Sequence, residues 1–405
     1  MSSVSFCVGV DLGNHKHAVC VLDPQRRVIK SCMVENDQRL LDVLAAVMGD
    51  VSPANVHIAL EDRNNVVVDA LLAGGFAVFT ANPKQVDRFR DRETVAGAKD
   101  DRRDASVLAN ALVTDAALFH RVAVQSEAEV HVGSLTATLA ELDEEHRRLS
   151  NQLRAVVLRF FPALLVLCEG ADAAWFWALL LRLGDANDAL SVRKATIATL
   201  LKTHRKRAVS ADDVVAVVKG RHLPTGPGVN DACRRHAASL IARLVVVARQ
   251  RVATTTARDA LLKELEKPKA DGSVSDVAIL RSMPGVGPKT VAVLFSECLP
   301  LLVAGSLERL RGMSGVAPVT KQSGKGRRVT MRWACNARIR GALFHVATTA
   351  SRQEGRFKTK YELLIEKGHS HARALRGVSD IQLHVLVAMF KTRKKYADKT
   401  VPVAS

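Results

Sequence analysis

Aromatic residues are scarce in this chain. Phe, Tyr and Trp together make up 4% of its 405 residues. Stacking of unpaired bases is therefore a minor theme, confined to Trp333 and a few phenylalanines. Cysteines are few and scattered: Cys7, Cys20, Cys32, Cys168, Cys233, Cys298 and Cys335 contain no C-x-x-C pair. That spacing argues against zinc and against a disulfide framework, and fits a reducing compartment. Long apolar runs are missing too, since Trp175–Leu183 is too short to span a bilayer. No basic segment with a long apolar core opens the chain, so a secretory signal is not expected. Acid is in deficit: 41 Asp and Glu face 59 Lys and Arg, for a net charge of +18. Such an excess favours a polyanion, because Lys and Arg gain affinity by displacing counterions from phosphates. A soluble cytoplasmic protein with a nucleic-acid partner and no membrane partner is expected.

The first 115 residues read as an α/β domain. Val4–Val10, His17–Leu22 and Arg27–Val34 form three predicted strands, the first two joined at Gly13-Asn14. A helix over Gln38–Met48, a strand over Val56–Glu61, a helix over Val66–Leu72 and a strand over Phe76–Thr80 follow. Asn82-Pro83 then starts another helix. Three meandering strands before alternating helix and strand match the RNase H-like order. Sugar kinases and actin-like proteins share it, so the order alone does not choose a function.

Residues 116–274 read as a helical linker. Leu135, Leu139, Leu142, Leu149 and Leu153 make a short heptad seam, with His146 in the missing position and charges outside it. That seam suits either a helix packed on its own domain or a dimer coiled coil. Further helices are predicted at 173–183, 190–204 and 229–266. A mostly α-helical unit occupies 275–355, and a basic helical tail covers 356–405.

Chemistry enters with the acids. Asp11 and Glu61 stand at the ends of predicted strands, where carboxylates of one sheet converge. Asp101 and Asp104, three apart on a predicted helix, share one face. Asp62 and Asp100 are adjacent rivals, and only one of Glu61 and Asp62 can face the site. Four hard oxygen donors suit Mg²⁺, and paired ions activate the attacking oxygen and stabilise the leaving one in phosphodiester cleavage.

In the later unit, ILRSMPGVGPKTVAVLFSE has the pattern of a helix-hairpin-helix. Gly285 and Gly287 permit the tight turn, the next helix offers free N–H groups to phosphate, and Lys289 adds charge. The stretch APVTKQSGKGRRVTMRW carries Lys321, Lys325, Arg327, Arg328 and Arg332 around Ser323. Taken alone, Ser323 is an ordinary phosphate-contacting or exposed serine, since no His or acid adjoins it. The alternative is a nucleophile that attacks phosphorus amid stabilising cations.

Five blocks together carry a resemblance: VGVDLGN, IALE, AGGFAVFTANPKQVDRF running into KDDRRDASVLA, MPGVGPKTVAVLFSE and SGVAPVTKQSGKGRR. Their order and spacing resemble bacterial insertion-sequence transposases with a DEDD, RuvC-like domain and a C-terminal serine-bearing domain, the bridge-RNA-guided recombinases. The resemblance implies Asp11, Glu61, Asp101 and Asp104 as Mg²⁺ ligands and Ser323 as the nucleophile of a phosphoserine intermediate. It also implies donor and target DNA, a non-coding guide RNA, a homodimer or tetramer with a composite site, and a place beside the nucleoid. The chain departs from the family at Asp62-Arg63-Asn64-Asn65 and at Lys99-Asp100-Asp101. Two rivals stand beside this reading: a metal-only RuvC-like nuclease or junction resolvase, and a non-catalytic nucleic-acid-binding scaffold. A kinase would need a second phosphate loop that the chain does not supply.

Overall fold

The computed structural model describes residues 4–61, 65–81, 83–93, 100–226, 228–324 and 326–397, with backbone only at Pro83, Glu93, Asn187, Lys321 and Arg327. It divides into two compact units, Met1–Gln125 and Ser126–Ser405.

The first unit is built on a six-stranded sheet. Its elements are β1 (Phe6–Asp11), β2 (Lys16–Leu22), β3 (Val28–Glu35), α1 (Arg39–Met48), β4 (Val56–Leu60), α2 (Val66–Ala73), β5 (Ala77–Thr80), α3 (Pro83–Glu93), α4 (Asp101–Thr114) and β6 (His120–Arg121). The strand order is β3-β2-β1-β4-β5-β6. β1–β3 are antiparallel, β4 and β5 run parallel to β1, and β6 closes the edge antiparallel to β5. Alternation sorts the strand residues between two cores. Val8, Val10, Ile58 and Leu60 face α1 and α2, while Cys7 and Ala59 lie on the side of Val107 and Leu108 from α4.

Gly9 sets how closely α4 lies on that second face. A Cβ on Gly9 would stand 1.9 Å from the Ala105 carbonyl oxygen and 2.6 Å from the Ala109 nitrogen. Ala105 and Ala109 are themselves fully buried. Three small residues thus let helix backbone rest on strand backbone. The unit also runs past the expected boundary at 115. Phe119 is buried and stacks on Phe89, and Val122 donates to Val78.

The second unit begins with α5 (Glu127–Phe160), α6 (Ala174–Leu183), α7 (Ala186–Ala189), α8 (Lys194–Thr203), α9 (Ala211–Val218) and α10 (Val229–Leu265). It continues with α11 (Asp276–Arg281), α12 (Pro288–Val303), α13 (Leu307–Met313), the hairpin β7 (Val319–Ser323) and β8 (Gly326–Thr330), then α14 (Ala337–Ala350), α15 (Arg356–Glu366) and α16 (His371–Thr392). A Ser126–Glu129 capping box starts α5 and satisfies its first free N–H groups. The long helices α5 and α10 join two cores. Leu149, Leu153 and Val157 of α5 pack with Leu240, Ile241 and Leu244 of α10 and with the residues of α6, α8 and α9. Val132 and Leu262, toward the opposite ends, belong to the core around α12, α14 and α16.

Two expectations change here. Leu149 and Leu153 of the leucine seam are fully buried within their own chain, so the packed-helix alternative describes them. The basic tail is also more than a tail. Leu375, Val378, Leu383, Leu386, Met389 and Phe390 of α16 enter the same core as α12, so no packing boundary falls at 355. Charge concealed an apolar stripe at helical spacing. No helix among the described residues is long and apolar enough to cross a membrane.

Candidate active site

Asp11 is the last residue of β1 and pairs across to Ala18. It shares the α4-facing parity of Cys7 and Gly9. Glu61 directly follows β4 and continues the parity of Ala59. α4 begins at Asp101 and brings Asp104 one turn further, where it is 4% exposed. The close seat at Gly9 therefore draws the start of α4 toward the end of β1. Burial pushes the Asp11 carboxyl above its ordinary range, and the charges of Asp104, Asp101 and Glu61 push it further. Four acids dispersed in sequence thus act on one another electrostatically. Asp100 stands at the N-cap position of α4 without a side-chain capping bond and is exposed. Asp62 and Lys99 lie outside the described residues.

One residue of the candidate site escaped the sequence reading. Arg90 of α3 donates from Nε and Nη2 to the two oxygens of Asp104, at 2.7 and 3.0 Å. The same guanidinium lies 3.9 Å from Glu61 and 2.9 Å from Asp87. Against its own burial, these acids hold Arg90 firmly protonated. The guanidinium is a cationic stand-in within a hard-oxygen donor set, so these residues fit a divalent ion. Among the described residues, no three acids are closed to ion-holding distance. Mutual repulsion, together with the Asp104–Arg90 fork, favours that open spacing. A single Arg on a charged helix gave no signal by spacing. Arg90→Gln would leave Asp104 buried without its partner. It is expected to cost about 2–3 kcal/mol in urea unfolding, reduced from about 3–5 kcal/mol for a fully buried pair because Arg90 is 30% exposed.

The second unit carries the other candidates. α11 and α12 are joined by a short turn through Gly285 and Gly287. Gly285 has φ +82, and a Cβ there would stand 2.8 Å from the Val346 carbonyl oxygen, so both turn and packing require glycine. Gly287 N-caps α12, with open space around it. Lys289 is exposed and ion-pairs with Asp143 at 3.0 Å, a carboxylate that Arg251 also contacts at 2.6 Å.

Ser323 ends β7, opposite Gly326 across a turn in which Gly324 has φ +53. No strand was expected here, because so polar a sequence shows no apolar alternation. Lys321 pairs with Arg328 in the same register, so these positions and Ser323 share one face. Ser323 and Arg328 are exposed. Lys325 and the side chains of Lys321 and Arg327 lie outside the described residues. The base of the hairpin is anchored more firmly. Arg332 donates to the Ala317 carbonyl, Asn336 caps α14 and donates to buried Glu297, and Arg338 pairs with Glu297 at 2.7 Å. The geometry thus presents an exposed hydroxyl on a cationic hairpin in one unit and an acid cluster in the other.

Residues 8–162 match a DEDD-type IS110 family profile described as "Transposase", and residues 277–362 match the profile "Transposase IS116/IS110/IS902 family". Residues 163–276 fall between the two matches. The chain is 28% identical to a mini-circle putative transposase for IS117 from Streptomyces coelicolor, over 97% of this chain and 95% of that protein. It is 38% identical to the putative transposase y4uE of Sinorhizobium fredii, over 50% of this chain and 58% of that protein's length. An insertion element IS900 protein of Mycobacterium paratuberculosis is 25% identical over 98% of both chains.

Proposed function

Because the chain belongs to the IS110/IS116 family of transposases, we propose that it excises and rejoins an insertion sequence through a phosphoserine at Ser323. The observation that supports this most is that the charges of Asp104, Asp101 and Glu61 all act on the Asp11 carboxyl, with Arg90 reaching both Asp104 and Glu61. The strand order, with three antiparallel strands and then two parallel ones, supports an RNase H-like (RuvC-like) reading of the first unit.

In this reading the Ser323 Oγ attacks a backbone phosphorus. A P–Oγ bond forms, the P–O bond to one sugar breaks, and the displaced oxygen leaves as a hydroxyl after taking up a proton. The strand stays linked to the protein until a sugar hydroxyl from another strand reverses the exchange. Asp11, Glu61, Asp101 and Asp104 would hold a divalent ion in place of the Arg90 guanidinium that now bonds Asp104. Bound Mg²⁺ would supply charge neutralisation at the phosphate and activation of oxygen. Arg328, Arg332 and the positions of Lys321, Lys325 and Arg327 hold the backbone around the serine. The α11–α12 turn acts as a helix-hairpin-helix, with Gly287 and Lys289 at phosphate. Donor and target sites are selected by pairing with a guide RNA while the protein reads shape. The acids come from one protomer and Ser323 from another in a homo-oligomer, working on DNA beside the nucleoid.

The test is an adduct assay. The protein, with the RNA encoded beside its gene, is mixed with donor and target DNA and Mg²⁺, then denatured. DNA-linked protein is the expected result. Cleavage with no adduct would leave a metal-only nuclease, with Ser323 merely touching phosphate. Tight binding with no cleavage would leave a scaffold.

A further inference from the structure

We propose that the turn between α8 and α9 is a second, non-catalytic site for the sugar–phosphate backbone of duplex DNA. The turn lies in the stretch between the two family-matched segments. It is built on the core that α6, α8, α9 and part of α10 share, apart from the core around α12, α14 and α16.

Charge is the first observation. Between Asp188 and Asp212 the chain has no acid and six cations: Arg193, Lys194, Lys202, Arg205, Lys206 and Arg207. Two are engaged within the chain. Lys194 pairs with Asp212 at 2.5 Å, and the Lys206 ammonium lies 4.9 Å from the centre of the Trp175 ring. Lys202, Arg205 and Arg207 are exposed, with no ion pair among the described residues.

Backbone conformation is the second. α8 ends with Arg205 N bonded to Lys202 O and Lys206 N bonded to Leu201 O, both at 2.9 Å. This is a Schellman ending, in which the left-handed position favours glycine. Arg205 occupies it at φ +51. Elsewhere the chain follows the rule, with Gly184, Gly305 and Gly368 at positive φ just after helices. Arg393 also departs from it, but its guanidinium bonds Asp276 and the Val274 carbonyl. Arg205 has no such partner among the described residues. A non-glycine residue in this conformation is sterically strained. The turn thus keeps a cation where stability asks for glycine, and the compensating contact lies outside the chain.

The form of the polyanion follows from what surrounds the turn. From 185 to 228 the sequence has no Phe, Tyr or Trp. Trp175 is 7% exposed beneath Lys206. Unpaired bases would find no platform to stack on. A shallow groove lined by Thr196, Thr199, Thr203 and His204 runs beside the cations. Small polar side chains there let a paired backbone come close. DNA is the polyanion on which this family acts, so the duplex is DNA.

The experiment uses full-length protein in EDTA, so that strand chemistry plays no part. A labelled duplex without element sequence and a hairpin RNA are titrated between about 50 and 200 mM salt. The triple variant K202Q/R205G/R207Q should flatten the log–log salt slope for duplex DNA by about 2–3, at about 0.9 for each phosphate no longer neutralised. R205G alone should flatten it by about 1 and raise the melting temperature, which misfolding could not do. R205G decides the matter if the triple variant fails to fold. An unchanged duplex slope would overturn the site while leaving the transposase reading intact. A slope lowered for RNA alone would overturn it in favour of an RNA site. No duplex binding by the unaltered protein would overturn both.

Discussion

Ser323→Ala is expected to abolish the covalent DNA adduct outright, with duplex binding changed less than twofold. Asp11→Asn is expected to reduce strand cleavage more than about a hundredfold, since even outer-sphere partners of a metal are commonly worth 10–100-fold. The two losses should differ in their side effects. Ser323 sits on an exposed hairpin, so trimming its hydroxyl should alter stability by less than about 0.5 kcal/mol. Asp11 is under repulsion. Its ionised form is disfavoured by burial and then by Asp104, Asp101 and Glu61. An acid whose folded pKa is raised contributes stability below its unfolded pKa of about 4 and loses it as pH rises through the folded value. Metal-free Asp11→Asn protein should therefore melt higher than the unaltered chain at neutral pH. The difference should shrink as the pH falls toward about 4. Calorimetry in EDTA at several pH values, beside the cleavage assay, checks both halves. A variant that melts lower at neutral pH, or cleaves at full rate, would remove Asp11 from the site.

Gly9→Ala should damage the fold severely for a single added methyl group. The added carbon would meet the α4 backbone at Ala105 and Ala109, not a side chain that can swing away. We expect a loss of at least about 4 kcal/mol, in the range reserved for steric conflict in a packed core. Protein that still folds can do so only by lifting α4. Asp101 and Asp104 would move with it, and cleavage should fall in parallel. Gly341→Ala is the control. That glycine is inside α14 with open space around it, so alanine should stabilise by about 0.5–1 kcal/mol. Urea unfolding of both variants compares them directly, and a mild effect at Gly9 would mean that α4 is not held as described.

Much of the first unit was legible because its signals are local. Short, nearly continuous apolar runs mark β1, β2 and β4, and Asp11 and Glu61 fall where β1 and β4 end. Asp101 and Asp104 were legible as a pair because three residues make nearly one helical turn. Arg90 was not, since its importance lies in meeting residues 14 positions ahead and 29 behind, across the fold. The hairpin at Ser323 was hidden for the opposite reason. Its strands bury almost nothing, so no apolar rhythm announces them. The seam at Leu149 and Leu153 predicted a partner helix, but periodicity does not say which one. The partner was α10, about 90 residues later.

The place of α16 in the C-terminal core bears on the order in which the molecule is made. The first unit is complete in sequence by Gln125 and can fold while later residues are still being translated. The core behind the hairpin needs Leu375–Phe390 and cannot close until almost the whole message has been read. A chain stopped by a nonsense codon anywhere between Thr330 and Leu375 would still contain Ser323, but would lack the scaffold that aims it. Under the serine mechanism proposed above, premature termination would thus release a folded acid-bearing unit and no working serine, so truncated products would not complete the strand exchange.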